Sequence, residues 1–420
     1  MNFSNEDLEC VKEDIQGIKK QLESIKEELM FTKEEVNQLK IAQNIGSIKE
    51  ITGVPDCTLT TACFDLTIFH NKSRNLKEAI NNMKSLLEIP CYLVIYTDKI
   101  CVDFIKEIRN SYNLAHLTDY IVTNFEDLYY YKYIDTINSN REKYWPTKDD
   151  RTCSENHLLQ ISKLNFVLQT IQKNPFHTTK FGWIDANLNK NCSKICRDFS
   201  INMFLNVLNN VPDKFHLQIQ NVTDKKYKNK DNKREYYEKY RWVMCGAFYT
   251  MGKEIGIKIL NRLNDLFIEA TMLGYGHGDE LLYLEILDEF YDDIDRGYGD
   301  YGEIINNYFY PTKNIEYIYK SIIKKYSDMG YHKECYDCCK IVLYSIENVS
   351  VECSAAFHIA ILYCYYISAF YHKKEVCNTI IHHIYDVCEK NPDAKKYFDE
   401  NKSFYEHQFS YVINSDNYSK

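Results

Sequence analysis

From Leu8 onward apolar residues recur at alternating spacings of three and four: Leu8, Val11, Ile15, Ile18, Leu22, Ile25, Leu29, Val36 and Leu39, with one polar break at Thr32. That period lays a single apolar seam along a helix and predicts a coiled coil over residues 1–43. With Leu8, Ile15, Leu22, Leu29 and Val36 at the a positions, Lys12, Lys19, Lys26, Lys33 and Lys40 fall at e, and Asp7, Asp14, Glu28 and Glu35 at g. In a parallel coiled coil g side chains face e side chains of the neighbouring strand, so Asp7 meets Lys12 and Glu28 meets Lys33. Leucine at most a positions with isoleucine at Ile18 and Ile25 favours a trimer or tetramer over a dimer. Ser4, with Asp7 in the first turn, is a capping signal for the helix start. A lone amphipathic helix lying on the rest of the protein would explain the seam but not the uniform e and g charges. The expected partner is therefore further copies of the chain, joined in parallel through residues 8–39.

Gly46, Gly53 and Pro55 interrupt the helical period, which makes 44–56 a linker. Beyond it the pattern alternates between strand and helix. Strands are predicted at Thr58–Leu66, Tyr92–Tyr96, Tyr120–Thr123 and Phe181–Asp185, and helices at Leu76–Leu87, Val102–Tyr112 and Glu155–Gln172. Such alternation predicts an α/β domain over 57–312, a mostly parallel sheet covered on both faces, with ligand groups gathered where strands end. After Asp185 the rhythm is less regular. A lysine-rich stretch, Lys225–Lys239, carries Tyr227, Tyr236 and Tyr237 and reads as a solvated loop or as a lid. Trp242–Tyr249 is strand-like, and Arg296-Gly297-Tyr298-Gly299-Asp300-Tyr301 reads as a glycine-rich loop. From 313 to 420 the pattern is all helix: Ile315–Met329 with Glu334–Ile346, and Ala355–Tyr371 with Glu375–Cys388, form hairpins of tetratricopeptide-like character.

Composition narrows the function classes. Across 420 residues, 60 acidic against 51 basic side chains give a net charge of −9, which argues against a nucleic-acid binder. No apolar run approaches the length of about 18 residues that spans a bilayer, and Met1–Asn5 has no signal-peptide character, so a cytoplasmic protein is expected. The 16 cysteines sit at scattered spacings inside periodic segments, and Cys335-x-x-Cys338 lacks a second pair, so buried thiols are expected in place of zinc or disulfides. Thirty-six tyrosines with abundant Lys, Asn and Ile match the codon bias of an AT-rich genome. Neither a dinucleotide fingerprint nor a P-loop follows any predicted strand.

Candidate chemistry starts at Phe181-Gly182-Trp183-Ile184-Asp185-Ala186-Asn187, a strand that delivers a carboxylate and an amide to its end. An Asp-x-Asn triplet suits Mg²⁺ or Mn²⁺, which take one or two protein carboxylates and complete their shells with water and diphosphate. It is also an ordinary turn. Gly274-Tyr275-Gly276-His277-Gly278-Asp279-Glu280 puts three acid–base side chains on one glycine-rich loop, where an acceptor hydroxyl could lose its proton; Asp279 also serves as a plain helix cap.

Taken together, Thr58-Leu59-Thr60-Thr61-Ala62-Cys63-Phe64-Asp65, Val94-Ile95-Tyr96-Thr97-Asp98, Ser162-Lys163, Trp183-Ile184-Asp185-Ala186 and Gly299-Asp300-Tyr301 resemble the HtrL/YibB family, itself similar to glycosyltransferases of the GT-A type. The resemblance spans roughly Cys57 to Pro311 and implies a GT-A-like, nucleotide-sugar-binding mixed sheet flanked by helices. It implies a donor site at Thr61, Ala62, Cys63, Phe64, Asp98, Lys163, Trp183 and Ala186, with Lys163 against phosphate or the donor sugar. Asp185 and Asn187 would hold the divalent cation, with His277 or Asp300 as a further ligand. Asp279, Glu280 and His277 would be the catalytic acid–base groups, and Gly246 and Tyr301 would meet the acceptor. The triplet departs from the family's pattern by ending in Asn187 instead of an acid. The expected activity is transfer of a sugar from a nucleotide-diphosphate donor to a hydroxyl of a glycan or glycoprotein; the alternative is a non-catalytic scaffold joining the coiled coil to the helical hairpins.

Overall fold

The computed structural model describes residues 53–69, 76–144, 153–186, 200–237, 242–275, 279–349 and 351–415. The coiled coil predicted for 1–43 lies outside the described residues, as do Asn187 and His277.

Seven strands form one sheet: β1 (Cys57–Cys63), β2 (Tyr92–Thr97), β3 (Thr118–Val122), β4 (Lys180–Ile184), β5 (Phe215–Ile219), β6 (Phe248–Gly252) and β7 (Ile294–Tyr298), ordered β3-β2-β1-β4-β6-β5-β7. The sheet is mixed. β1 runs parallel to β2 and β4, β2 to β3, and β5 to β7, whereas β6 is antiparallel to both β4 and β5. As a result β1, β2, β3, β4, β5 and β7 all end on one edge, and β6 begins there.

The central strands are buried on both faces, which explains their unbroken run of apolar and β-branched residues. On the flanks lie α1 (Leu76–Leu87), α2 (Val102–Ser111), α3 (Ser154–Lys173) and α4 (Lys253–Met272). In α1 the apolar spacing read from the sequence is the spacing that buries Ile80, Met83 and Leu87. α3 lies over β1 and β4 and packs beside α4, which covers β6. Leu164 and Val167 of α3, Phe181 and Trp183 of β4, and Leu263 and Phe267 of α4 share one core. Each such side chain contributes on the order of 1.5–3 kcal/mol by leaving water. Gly182 is required in β4, because a Cβ there would lie 2.8 Å from the carbonyl of Tyr249 on β6.

Chain order first reverses at β1, and β6 later inserts between β4 and β5. It runs outward from β1 through β2 to β3, then returns to place β4 on the other side of β1. The β1–β4 ladder closes at Thr60↔Trp183, and beyond it Thr61–Cys63 stay paired with β2 and Ile184 with β6, so the two strands part from each other at this edge.

The lysine-rich stretch departs from the lid reading. It folds as short turns, Lys225–Lys228 and Lys230–Asn232, and a helix, Lys233–Tyr237. Tyr227, Tyr236 and Tyr237 are buried. Lys228 pairs with Asp288, Lys233 with Glu285 and Lys226 with Glu235, and Lys225 donates to the carbonyl of Gly330. The glycine-rich run at 296–301 likewise departs in part from a loop, since Arg296, Gly297 and Tyr298 belong to β7 and only the second half turns away.

Beyond the sheet, helical turns at Ile315–Ile318 and Lys324–Asp328 flank a π-helical turn, Tyr319–Ile323. They lead into α5 (His332–Asn348), α6 (Ala355–His372) and α7 (Cys377–Lys390), followed by Pro392–Glu400 and Lys402–Ser415. α5 packs on α6, and α6 on α7. None of the described helices is long and apolar enough to cross a membrane, and all described cysteines are free thiols.

Candidate functional site

In open α/β sheets ligands collect outside the carboxyl ends of strands, at the point where strand order reverses. Here that point lies between β1 and β4, and Asp185 is the first residue beyond β4. Its N–H donates to the carbonyl of Ala247 at 2.8 Å, which ties the end of β4 to the approach of β6. The indole Nε1–H of Trp183 donates to Asp185 Oδ1 at 2.6 Å. Lys163 Nζ stands 3.7 Å from the same oxygen, and the carboxylate side chain is 34% exposed. Both contacts converge on Oδ1, so Oδ2 is the oxygen Asp185 can present outward. Burial of its surroundings raises the Asp185 pKa, against the pull of Lys163.

Lys163, midway along α3, is the hub of the cluster. Its ammonium donates to the carbonyl of Gly246 at 2.9 Å and pairs with Asp279 Oδ2 at 2.9 Å. It also stands 5.7 Å from the centre of the Trp183 ring. Lys163 and Asp279 are each only 4% exposed. Burial works against the ammonium, but Asp185 and Asp279 more than offset it and hold the Lys163 pKa above the ordinary lysine value. Glu280 follows Asp279 directly, and burial, then Asp279, push its carboxyl up to about 8. Gly246 lies tight beneath this group: a Cβ there would sit 2.2 Å from Asp279 Oδ2.

The structure thus brings Lys163, Trp183, Asp185, Gly246, Asp279 and Glu280 together, with Ala186 half-buried beside Asp185. Other expected donor-site residues are differently engaged. Thr61 and Cys63 are buried in β1, Ala62 is half-buried, and Phe64 packs between Phe125 and Phe166. Asp98 accepts from the backbone amides of Asp65 at 2.6 Å, Ile100 at 2.9 Å and Cys101 at 2.8 Å, which joins the ends of β1 and β2 to the start of α2. Asp300, after β7, caps a short turn by accepting from Tyr301 N–H at 2.8 Å, and its own N–H donates to Glu303. Two positions did not stand out in the sequence. Tyr249 on β6 and Tyr283 lie against Asp279, and burial followed by that acid, together with the other tyrosine for Tyr283, pushes their hydroxyls up. In a chain so rich in tyrosine nothing marked them.

A family model described as a bacterial protein of unknown function (HtrL_YibB) matches residues 55–206. This chain is similar to that family from the start of β1 into the helix after the Asp185 strand. Among solved structures, the crystal structure of mouse xyloside xylosyltransferase 1 in its apo form aligns over 58% of this chain and 85% of that one, at 9% identity and a TM-score of 0.31. No curated protein matches.

Proposed function

We propose that the chain is a nucleotide-sugar-dependent glycosyltransferase whose donor diphosphate docks at the carboxyl edge of the sheet, against Asp185. The observation that carries this reading is the placement of a half-exposed carboxylate at the strand-order reversal, with one oxygen fixed from within and the other free to face a ligand. The sequence resemblance to GT-A-type enzymes supports it independently.

The residues present fit a divalent cation of the Mg²⁺ or Mn²⁺ kind. Such ions take one or two carboxylates and leave their other positions to water and substrate phosphates. Two carboxylates, Asp185 at the rim and the buried Asp279 behind it, stand against the one ammonium of Lys163, which leaves the cluster of these three with an excess of negative charge. Asp185 would hold the ion; among the described residues no group of three or more His, Cys, Asp or Glu side chains is arranged to do so alone. When bound, the cation would supply charge neutralisation for the leaving diphosphate. The chain's own residues orient and exchange protons. Trp183 orients the Asp185 carboxylate, and Glu280, its carboxyl pushed up to about 8 by burial and then Asp279, would be largely protonated at neutral pH and gain its capacity to accept a proton as pH rises toward that value. Gly246 lies buried beneath Asp279 and is closed to an acceptor, so of the two expected acceptor residues Tyr301 remains the one past which a glycan or glycoprotein hydroxyl would approach.

A thermal-shift series with Mn²⁺ and a panel of nucleoside diphosphates tests the reading. A ligand at about 100 times its Kd stabilises the native state by roughly 2.7 kcal/mol, so the cognate nucleotide should raise Tm clearly. Asp185→Ala should keep the ligand-free Tm within a few degrees and abolish both the shift and nucleotide release from a donor sugar. If no nucleotide shifts the wild-type protein, the scaffold alternative takes over.

A further inference from the structure

Lys163 is positioned too deeply to meet a substrate. Its ammonium donates to Gly246 O at 2.9 Å, ion-pairs with Asp279 Oδ2 at 2.9 Å and stands 3.7 Å from Asp185 Oδ1, so groups from three separate segments converge on it. Its side chain is 5% exposed. Ile161, Leu164 and Val167 around it are completely buried, so the helix that carries it is anchored in the core on this face. Gly246 adds an independent sign that the approach of these segments is built in, because no side chain fits between its backbone and the Asp279 carboxylate. The next carbonyl, Ala247 O, holds the Asp185 amide. One cation therefore draws the approach to β6 and the Asp279 turn against the end of β4.

We propose that Lys163 is a positioning residue: its buried ammonium clamps Gly246 and Asp279 beneath Asp185 and so fixes the carboxylate that faces the nucleotide diphosphate. This assigns Lys163 a different role from the direct phosphate contact that the family resemblance implies, and it rests on the transferase reading above. A side chain 5% exposed, bonded to the Gly246 carbonyl and ion-paired with the buried Asp279, has almost no surface to offer a ligand. What it supplies is geometry, and a misplacement of about 1 Å at a reacting centre can cost on the order of 100-fold in rate.

Hydrogen exchange on the ligand-free, full-length protein reads the clamp without any need for turnover. Lys163→Met, which keeps the aliphatic stem and removes the charge, should speed exchange at least about tenfold across 245–247 and 279–282 while β2 and β3 stay protected. With a donor that turns over, kcat should fall on the order of 100-fold and the donor KM should stay within about twofold. Lys163→Arg should restore part of the protection. If Lys163→Met does not fold, Asp279→Asn carries the same readouts, since it keeps the shape and removes only the paired charge. Unchanged exchange together with a donor affinity at least about tenfold weaker would overturn the proposal, because Lys163 would then be a ligand contact. Faster exchange in a protein that binds no nucleoside diphosphate would uphold the clamp and overturn the transferase reading instead.

Discussion

One indole N–H decides which way Asp185 points. Trp183 is almost wholly buried, yet its Nε1 reaches the carboxylate two residues on, which is possible because alternate residues of a strand share a face. A hydrogen bond to a charged acceptor contributes about 1.5–3 kcal/mol, less where the acceptor is partly solvated. Trp183→Phe, which preserves most of the core packing, should therefore weaken Mn²⁺–nucleoside diphosphate binding roughly tenfold by calorimetric titration. Wild-type affinity in that variant would mean the rotamer is set elsewhere. At this scale the sequence was readable as far as identities and not as far as roles. Asp185 stood out because it ends an apolar strand. Gly246 was chosen as an acceptor-side residue, and its tight approach to Asp279 depends on a contact that no local pattern encodes. The carboxylate of Asp98 was equally visible, but not that three backbone amides hold it.

Elements were legible wherever burial made them uniform. β1, β2 and β4 are apolar runs bounded by polar residues, and α1 and α2 carry the helical period. β5 and β7 are short and carry polar residues whose partners are distant in sequence. His216 on β5 bonds Asp295 on β7 at 2.7 Å, and Gln218 donates to the carbonyl of Asp300 at 2.6 Å, contacts between segments about 80 residues apart that no local pattern encodes. A similar pairing joins three C-terminal helices. Glu347 near the end of α5 accepts from His358 of α6 at 3.1 Å and from His383 of α7 at 2.9 Å. Although burial opposes its charge, hydrogen bonds from the two imidazoles hold Glu347 down at about 2, while Glu347 holds His383 above the ordinary histidine value. A carboxylate with a depressed pKa stabilises the fold above its unfolded value, and that contribution is lost as pH falls toward about 2. A histidine with a raised pKa stabilises below its unfolded value, and its contribution is lost as pH rises through the folded one. The two windows overlap between the ordinary carboxylate and histidine ranges, about pH 4.5 to 6.5. His383→Gln should accordingly lower Tm most near pH 5.5 to 6, roughly, and the difference should shrink by about pH 9. Melting curves across that range check it; a difference independent of pH would assign the effect to packing alone.

At the scale of the whole molecule, the described residues form the sheet edge and its helical surround, while assembly is an expectation drawn from the heptads of the sequence. The two rest on different physics. The sheet edge depends on long-range contacts such as Lys163 with Gly246, 83 residues apart, whereas the heptad seam needs only a local period. The uniform lysines at e opposite acids at g predict a parallel arrangement of copies. If the Asp185 site binds a donor as proposed, linking several copies would raise the effective concentration of sites toward one multivalent acceptor without any new contact. Light scattering should then give three or four times the chain mass for residues 1–420 and a single chain mass for residues 44–420. Charge reversal at Lys12, Lys19 and Lys26 to Glu would set like charges against Asp7 and Asp14 at g and should dissociate the assembly at low salt. Salt near 1 M, where screening acts within about 3 Å, should narrow the difference between reversed and native chains. An unchanged mass after removal of 1–43 would move the interface to the globular part and remove the argument for a parallel arrangement, leaving the chemistry at Asp185 untouched.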